Sequence, residues 1–374
     1  MKILSILGTR PEAVKMAPVI QTLAGMADIQ SRLCVTGQHR QMLDQVLSLF
    51  DIKPDYDLNL MRPDQNLAEL SSQIFANLDP VLADFEPNWV LIQGDTTTVL
   101  IAAVCAFYRK VHIGHIEAGL RTGDKYQPFP EEINRRMVSV VADLNFAPTE
   151  HSRQNLLREG IDPASIVVTG NPVIDALNDI VTRPAPPVAQ ELLARAGVLG
   201  GKRLLVLVTA HRRENFGQPI ENICHALRDL AGEFSQQITI IYPVHLNPNI
   251  LKPVQRLLNG VPNILLVEPL DYLPLVQLMK HAHVILTDSG GIQEEATALR
   301  KPTLVLRQVT ERPEGVSAGV LKLVGTERER IVAETRRLIQ DPQAIAAMTG
   351  SANPFGDGHA AARIVQAVVE YSSR

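Results

Sequence analysis

The sequence predicts an α/β protein made of two doubly wound parallel-sheet domains. Three observations carry that reading. Short β-branched runs alternate with longer helical patterns from end to end, the sign of βαβ units. Six such runs precede residue 170 and six follow residue 203. Two open sheets fit that grouping better than one barrel, which needs eight evenly spaced repeats. Between the halves lies Thr182-Arg183-Pro184-Ala185-Pro186-Pro187, followed by Gly200-Gly201-Lys202. Its prolines belong neither in a helix interior nor in a central strand. The boundary is expected near Gly170-Asn171-Pro172, giving domains 1–170 and 171–354.

The predicted strands follow in order. In the first half they are Lys2–Leu7, Arg32–Thr36, Trp89–Gln93, His112–Ile116, Leu144–Ala147 and Ile166–Thr169. In the second they are Leu204–Thr209, Thr239–Tyr242, Ile264–Val267, Val284–Thr287, Thr303–Leu306 and Leu321–Val324. A last helical pattern, Ala360 to Glu370, comes after the breaker-rich crossing Asn353-Pro354-Phe355-Gly356-Asp357-Gly358.

Composition bounds the function. The 374 residues are 45% hydrophobic and 20% charged, enough to bury a core and too apolar for disorder. Lys and Arg total 36 against 40 Asp and Glu, a net charge of −4, which argues against a nucleic-acid partner. The longest apolar run, Val99 to Tyr108, has ten residues, whereas a membrane-spanning helix needs about 20. The segment Met1 to Gly8 reads as a first strand and not as a signal peptide. Cys34, Cys105 and Cys224 lie far apart with no Cys-x-x-Cys, which fits a reducing compartment and gives neither a disulfide framework nor a zinc site. A soluble cytoplasmic enzyme is expected.

In open α/β sheets, ligands bind beyond the carboxyl ends of the strands, and the polar clusters of this sequence fall there. If the two domains face each other, the clusters line one cleft. The second half offers Asp288-Ser289-Gly290-Gly291-Ile292-Gln293-Glu294-Glu295 between a strand and a helix. Paired glycines let backbone N–H groups approach a diphosphate at the helix start, and Glu295 lies one turn on, within reach of a ribose hydroxyl pair. The alternative is that Asp288 or Ser289 caps the helix and the glycines only turn the chain. Gly8-Thr9-Arg10-Pro11-Glu12-Ala13-Val14-Lys15 forms a comparable loop after the first strand. It is neither a dinucleotide fingerprint nor a Walker loop, yet Arg10 and Lys15 put two cations near a helix start, where the macrodipole disfavours them. Asp95, Glu117 and Glu131 are carboxylates suited to acid–base work, since converging carboxylates raise one another's pKa; Glu131 also complements the dipole of the helix it opens. His211, at the tip of a hydrophobic strand, can protonate a leaving group or hold a phosphate oxygen, or simply cap the strand. His39, His115 and His245 hold similar positions. No pair has the His-x-x-x-His spacing, so no metal is expected.

Taken together, these motifs form a set. Gly8-Thr9-Arg10-Pro11-Glu12, Gln38-His39-Arg40, Gly94-Asp95-Thr96-Thr97-Thr98 and His115-Ile116-Glu117-Ala118-Gly119-Leu120-Arg121-Thr122 belong to it. So do Pro130-Glu131-Glu132-Ile133-Asn134-Arg135, His211-Arg212-Arg213-Glu214-Asn215, Pro243-Val244-His245, Asp288 to Glu295 and Thr310-Glu311-Arg312-Pro313-Glu314. In this order, over essentially the whole chain, the sequence resembles the bacterial non-hydrolysing UDP-N-acetylglucosamine 2-epimerases. The resemblance implies a GT-B architecture, two Rossmann-like domains facing a central cleft, with helix 355–374 returning to the first domain. It implies interconversion of UDP-N-acetylglucosamine and UDP-N-acetylmannosamine for surface polysaccharides, without a cofactor, by a homodimer. It makes Asp95, Glu117, Glu131 and His211 the catalytic-site residues. It makes Arg10, Lys15, Ser289, Gly290, Gly291, Glu295 and Arg312 contacts of the UDP-sugar. A second UDP-N-acetylglucosamine would act as activator near Gln38, Gln41, Arg212 and His245. Asp64 stands where some activated relatives carry arginine, and an acid there repels a diphosphate.

Inverting C2 without an adjacent carbonyl leaves two routes. Transient oxidation at C3 needs a dinucleotide, whose fingerprint is missing. Expelling UDP from C1 while a base takes the C2 proton gives a 2-acetamidoglucal, to which UDP then returns. A hydrolysing epimerase, a GT-B glycosyltransferase and a catalytically silent UDP-sugar sensor are the rival readings. Free amino sugar, an acceptor requirement and absence of C2 exchange would mark them in turn.

Overall fold

The computed structural model describes residues 1–37, 40–60, 62 and 65–373, with only the backbone of residues 40–42. Gln38, His39 and Asp64, and the side chain of Gln41, therefore lie outside what is described. The chain divides into two compact units, Met1–Ala176 with Phe355–Arg374, and Leu177–Pro354.

The first unit holds β1 (Lys2–Leu7), β2 (Gln30–Val35), β3 (Tyr56–Asp57), β4 (Trp89–Gln93), β5 (His112–Ile116), β6 (Leu144–Ala147) and β7 (Ile166–Val168). They pair in parallel in the order β3-β2-β1-β4-β5-β6-β7. The second unit holds β8 (Leu204–Thr209), β9 (Ile238–Pro243), β10 (Ile264–Val267), β11 (Ala282–Thr287), β12 (Thr303–Val305) and β13 (Leu321–Leu323). These run parallel in the order β10-β9-β8-β11-β12-β13. Both sheets are α/β and doubly wound, the class the sequence predicts. All twelve predicted strands are present, six with both ends as predicted and six with ends shifted by one or two residues. The unpredicted β3 is two residues long, too short to show a period, and exists because Cys34 and Val35 of β2 give it a pairing edge.

Strands buried on both faces read as continuous apolar runs. Val90, Leu91 and Ile92 of β4, and Leu205 through Val208 of β8, are fully buried for that reason. The order of each sheet contains a switch point, where chain connections leave in opposite directions. In the first unit it lies between β1 and β4, in the second between β8 and β11. Loops diverge there and leave a crevice at the carboxyl ends. The register Thr209↔Thr287 sets the ends of β8 and β11 level, and Ile6↔Ile92 does the same for β1 and β4.

The last helix, Ala360–Ser372, belongs to the first unit. Asp175 accepts hydrogen bonds from the N–H groups of Ala360 and Ala361 at 3.1 and 2.9 Å, capping its start. Near its end, the buried Trp89 indole donates to Ser372 Oγ at 2.8 Å and meets Tyr371 edge-on at 5.2 Å.

Gly119 follows β5 with φ of 90°, a region that disfavours side chains. A Cβ there would lie 2.3 Å from the carbonyl oxygen of Ser152. Gly119→Ala is therefore expected to destabilise the protein by more than about 1 kcal/mol, read as a lowered thermal midpoint; an unchanged midpoint would contradict the packing described.

Candidate functional site

In the first unit the site grows from two loops tied by one acid. Glu12, buried in the helix Arg10–Ala24, reaches back to its own start: Oε2 accepts from Gly8 N at 2.6 Å and Thr9 N at 2.9 Å. Oε1 accepts from Thr96 Oγ1 at 2.6 Å, and Thr96 also caps the helix Thr97–Tyr108. Burial raises the Glu12 pKa, with Asp95 adding to it, against the hydrogen bonds from Thr96, Gly8 and Thr9.

Asp95 and Glu117 stand above this tie. Burial pushes the Asp95 carboxyl up to about 6; Arg135 opposes the shift, Glu117 and Glu131 add to it, and Lys15 opposes it. Arg135 holds the carboxylate at 3.1 Å, and Asn134 Nδ2 donates to the Asp95 carbonyl at 2.9 Å. Both come from the helix that Glu131 opens, Glu131–Val141. Glu131 itself is half-buried, while its neighbour Glu132 is fully buried against the N–H groups of Thr122 and Gly123. Glu117 is 7% exposed and is gripped on both oxygens. Lys15 Nζ lies 2.5 Å from Oε1, Asn171 Nδ2 donates to the same oxygen at 2.9 Å, and Gln93 Nε2 donates to Oε2.

His115, one register step earlier on β5, is buried and its pKa is pushed down to about 4 by desolvation. Its Nε2 sits 2.8 Å from the carbonyl oxygen of Gly94. A carbonyl only accepts, so Nε2 carries the proton. This neutral ring braces the Gly94-Asp95 turn.

In the second unit the hub is Asp288, fully buried at the end of β11. Its Oδ2 accepts from His211 N at 2.7 Å, Arg212 N at 2.8 Å and Asn215 Nδ2 at 2.9 Å. The loop after β8 is thereby fixed to the loop after β11. The His211 side chain is 38% exposed and stacks on His245, ring centroids 5.6 Å apart and planes within 14°.

Ser289 precedes the helix Gly290–Ala298 but makes no side-chain cap, and no acidic residue lies in its first turn. The first turn of this helix thus carries no carboxylate of its own, which suits an anion. A Cβ at Gly291 would meet nothing within 4 Å, so the protein's own packing does not call for glycine there. Gly290 differs, since its Cβ would come within 3.0 Å of the Arg312 guanidinium. Arg312 is buried in a chain of ion pairs. Its Nε bonds Glu294 at 2.7 Å, its Nη1 bonds Glu311 at 3.2 Å, Glu311 pairs with Arg307 at 3.3 Å, and Arg307 reaches Glu214 at 2.5 Å. Glu295 is buried farther along the same helix.

A cavity of about 720 Å³ lies elsewhere, at the opposite ends of β8, β9 and β10, beside Arg195, Arg203 and Arg228. The C-termini of the helices Gln218–Glu233 and Pro248–Leu258 border it, and their negative dipole ends suit cations. Arg203 is occupied there with the Ile238 carbonyl.

A family model described as UDP-N-acetylglucosamine 2-epimerase matches residues 21–369. The Salmonella typhimurium UDP-N-acetylglucosamine 2-epimerase is 52% identical over 373 residues, 99% of each chain. The crystal structure of the Neisseria meningitidis enzyme bound to UDP-GlcNAc is 49% identical, with a TM-score of 0.89 over 99% of this chain and 100% of that one. The Methanocaldococcus jannaschii enzyme in complex with UDP-GlcNAc and UDP is 33% identical, with a TM-score of 0.83 over 99% and 100%.

The chain belongs to the UDP-N-acetylglucosamine 2-epimerase family. It is an isomerase of that family, and among the described residues no helix is long and apolar enough to cross a membrane.

The residues expected from the sequence fall into two groups. Arg10, Lys15, Asp95, Glu117 and Glu131 are carried by the first unit; Arg212, His211, His245, Ser289, Gly290, Gly291, Glu295 and Arg312 are carried by the second. Lys15, expected at the diphosphate, is found on Glu117, and Arg312 is found on Glu294 and Glu311. Sequence reasoning passed over Gln93, Arg135, Asn171 and the hub role of Asp288. Their partners are distant in sequence, and only Arg135 and Asp288 lay in quoted motifs.

Lys15→Met would strand a buried carboxylate, and breaking such a pair costs about 3–5 kcal/mol. Denaturant unfolding is expected to show that loss, with Lys15→Met/Glu117→Gln recovering much of it. Equal stability of Lys15→Met and the parent would remove the pair from this account.

Proposed function

We propose that the protein interconverts UDP-N-acetylglucosamine and UDP-N-acetylmannosamine by eliminating UDP from C1 and adding it back through a 2-acetamidoglucal. The observation that carries this reading is Asp95, a carboxylate with a pKa of about 6 close to Glu117 and Glu131. A general acid–base group works best with a pKa near the operating pH. The family adds support, since its Neisseria meningitidis member has been seen with UDP-GlcNAc bound.

The step balances without an oxidant. A base takes the C2 proton, the C–H electrons form the C1=C2 bond, and the C1–O pair leaves with UDP. Re-addition places a proton on the opposite face of C2 and the UDP oxygen on C1. Asp95, Glu117 and Glu131 handle the protons around C2. Asp95 exchanges the one that moves in the forward direction, while Glu117, held by Lys15, Gln93 and Asn171, keeps a fixed place on the sugar. Ser289, Gly290 and Gly291 offer backbone donors to the diphosphate, Glu295 takes the ribose hydroxyls, and His211, Arg10 and Arg312 stabilise the departing charge. The family resemblance further supports a homodimer, a cytoplasmic role in surface polysaccharide precursor supply, and a second UDP-N-acetylglucosamine as activator near Arg212 and His245.

In heavy water the enzyme is expected to place deuterium at C2 while the UDP-sugar is retained, and Asp95→Asn to slow that exchange about 10²–10⁴-fold. With Asp95 as forward base, kcat falls as pH drops through about 6, where its carboxylate takes a proton. Accumulation of free N-acetylmannosamine with UDP, or a profile flat across that range, would overturn the assignment.

Gly291→Ala separates ligand from fold. Alanine favours a helix by about 1 kcal/mol over glycine, so the thermal midpoint is expected to hold or rise. The KM for UDP-N-acetylglucosamine is expected to rise because the added methyl crowds the approach of the diphosphate. An unchanged KM would place the diphosphate elsewhere.

A further inference from the structure

Asp288 carries more than a loop needs. One oxygen, Oδ2, takes all three donors from the His211-Arg212-Arg213-Glu214-Asn215 segment. The carbonyl of an asparagine would do the same. What a carboxylate adds is the second oxygen, and Oδ1 is buried with no hydrogen-bond partner among the described residues. It faces the His211 imidazole, with Nδ1 at 3.5 Å. A buried acceptor without a donor is costly, and a small turn of the ring closes the gap to a hydrogen bond. His245, stacked on the His211 ring, limits that motion to one in the ring plane.

We propose that Asp288 is the positioning residue of His211, holding a proton on Nδ1 so that Nε2 is the nitrogen that exchanges with the reacting diphosphate. This rests on the reading of His211 as a group acting on departing UDP. When the imidazole is protonated at both nitrogens, the carboxylate balances its charge, the role an aspartate plays beside a catalytic histidine elsewhere. His245 on the ring face, and Arg212, Arg213 and Glu214 in the same loop, are the other titratable or charged groups of this segment.

Asp288→Asn tests this on the full-length enzyme. Its amide oxygen keeps the three loop donors, and its NH₂ presents a donor to Nδ1, which forces the ring into the other tautomer. Expected is a fall in kcat of about 10²–10⁴-fold, with the KM for UDP-N-acetylglucosamine within about threefold of the parent. Nitrogen-15 NMR of His211 is expected to show Nδ1 protonated in the parent and Nε2 protonated in the variant. A kcat within about twofold of the parent, or the same tautomer in both proteins, overturns the proposal. If the variant fails to fold, the parent spectrum decides alone: a proton on Nε2 of neutral His211 sinks it. His211→Asn separates the two levels. Unchanged kcat there defeats the role given to His211 in the reaction, while the tautomer still tells whether Asp288 sets the ring.

Discussion

A buried carboxylate at a sheet switch point is the interaction on which the carboxyl-end loops of each unit depend. Parallel strands deliver their carboxyl ends to one edge, where the connecting loops part company and leave backbone N–H groups without partners. Glu12 gathers three donors from the loops after β1 and β4. Asp288 gathers three from the loop after β8 while standing at the end of β11. Removing an acid of this kind from water is expensive, and the hydrogen bonds offset the cost only when all are made together. The same bonds fix Gly8, Thr96, His211 and Arg212 in place. Fold and site are therefore held by the same few atoms.

The two units differ in their electrostatics. The first gathers acids, with Asp95, Glu117 and Glu131 near one another and Lys15 and Arg135 as their counterions. The second offers donors: a helix start without a cap and a buried arginine behind its first glycine. Arg312 cannot swing toward solvent without breaking its ion pairs with Glu294 and Glu311. That immobility suits a group acting on charge that appears only during reaction, because a fixed dipole does not have to reorganise.

The fold was almost wholly legible in the sequence because buried parallel strands write themselves as apolar runs. Leu204–Thr209 and Trp89–Gln93 could be bounded to the residue. Tyr56–Asp57 could not, since two residues carry no period and their pairing depends on a neighbour distant in the chain. The candidate site residues were legible as a set of strand-end motifs. Their wiring was not. Nothing in the order of residues says that Lys15 meets Glu117, 102 positions away, or that Asn171 meets the same oxygen. Capping of the helix by Asp288 was the alternative its position offered, since aspartate before a helix is commonly a cap. The register of β8 against β11 turned it instead toward the loop after Thr209.

Glu117 shows how firmly the site constrains the chain. Its φ is 66°, in the left-handed region, at the end of a buried strand and not at an exposed turn. A non-glycine residue held there costs on the order of 1–3 kcal/mol. Glycine, found two positions on at Gly119, would relieve the strain and lose the side chain. The strain persists because Lys15, Asn171 and Gln93 grip the carboxylate from three sides, and those contacts require the chain to turn within a single residue of β5. A conformation that local sterics oppose, kept in place by three polar partners drawn from three other segments, has its explanation in the position of the carboxylate. The backbone bends so that the acid can stand where it does.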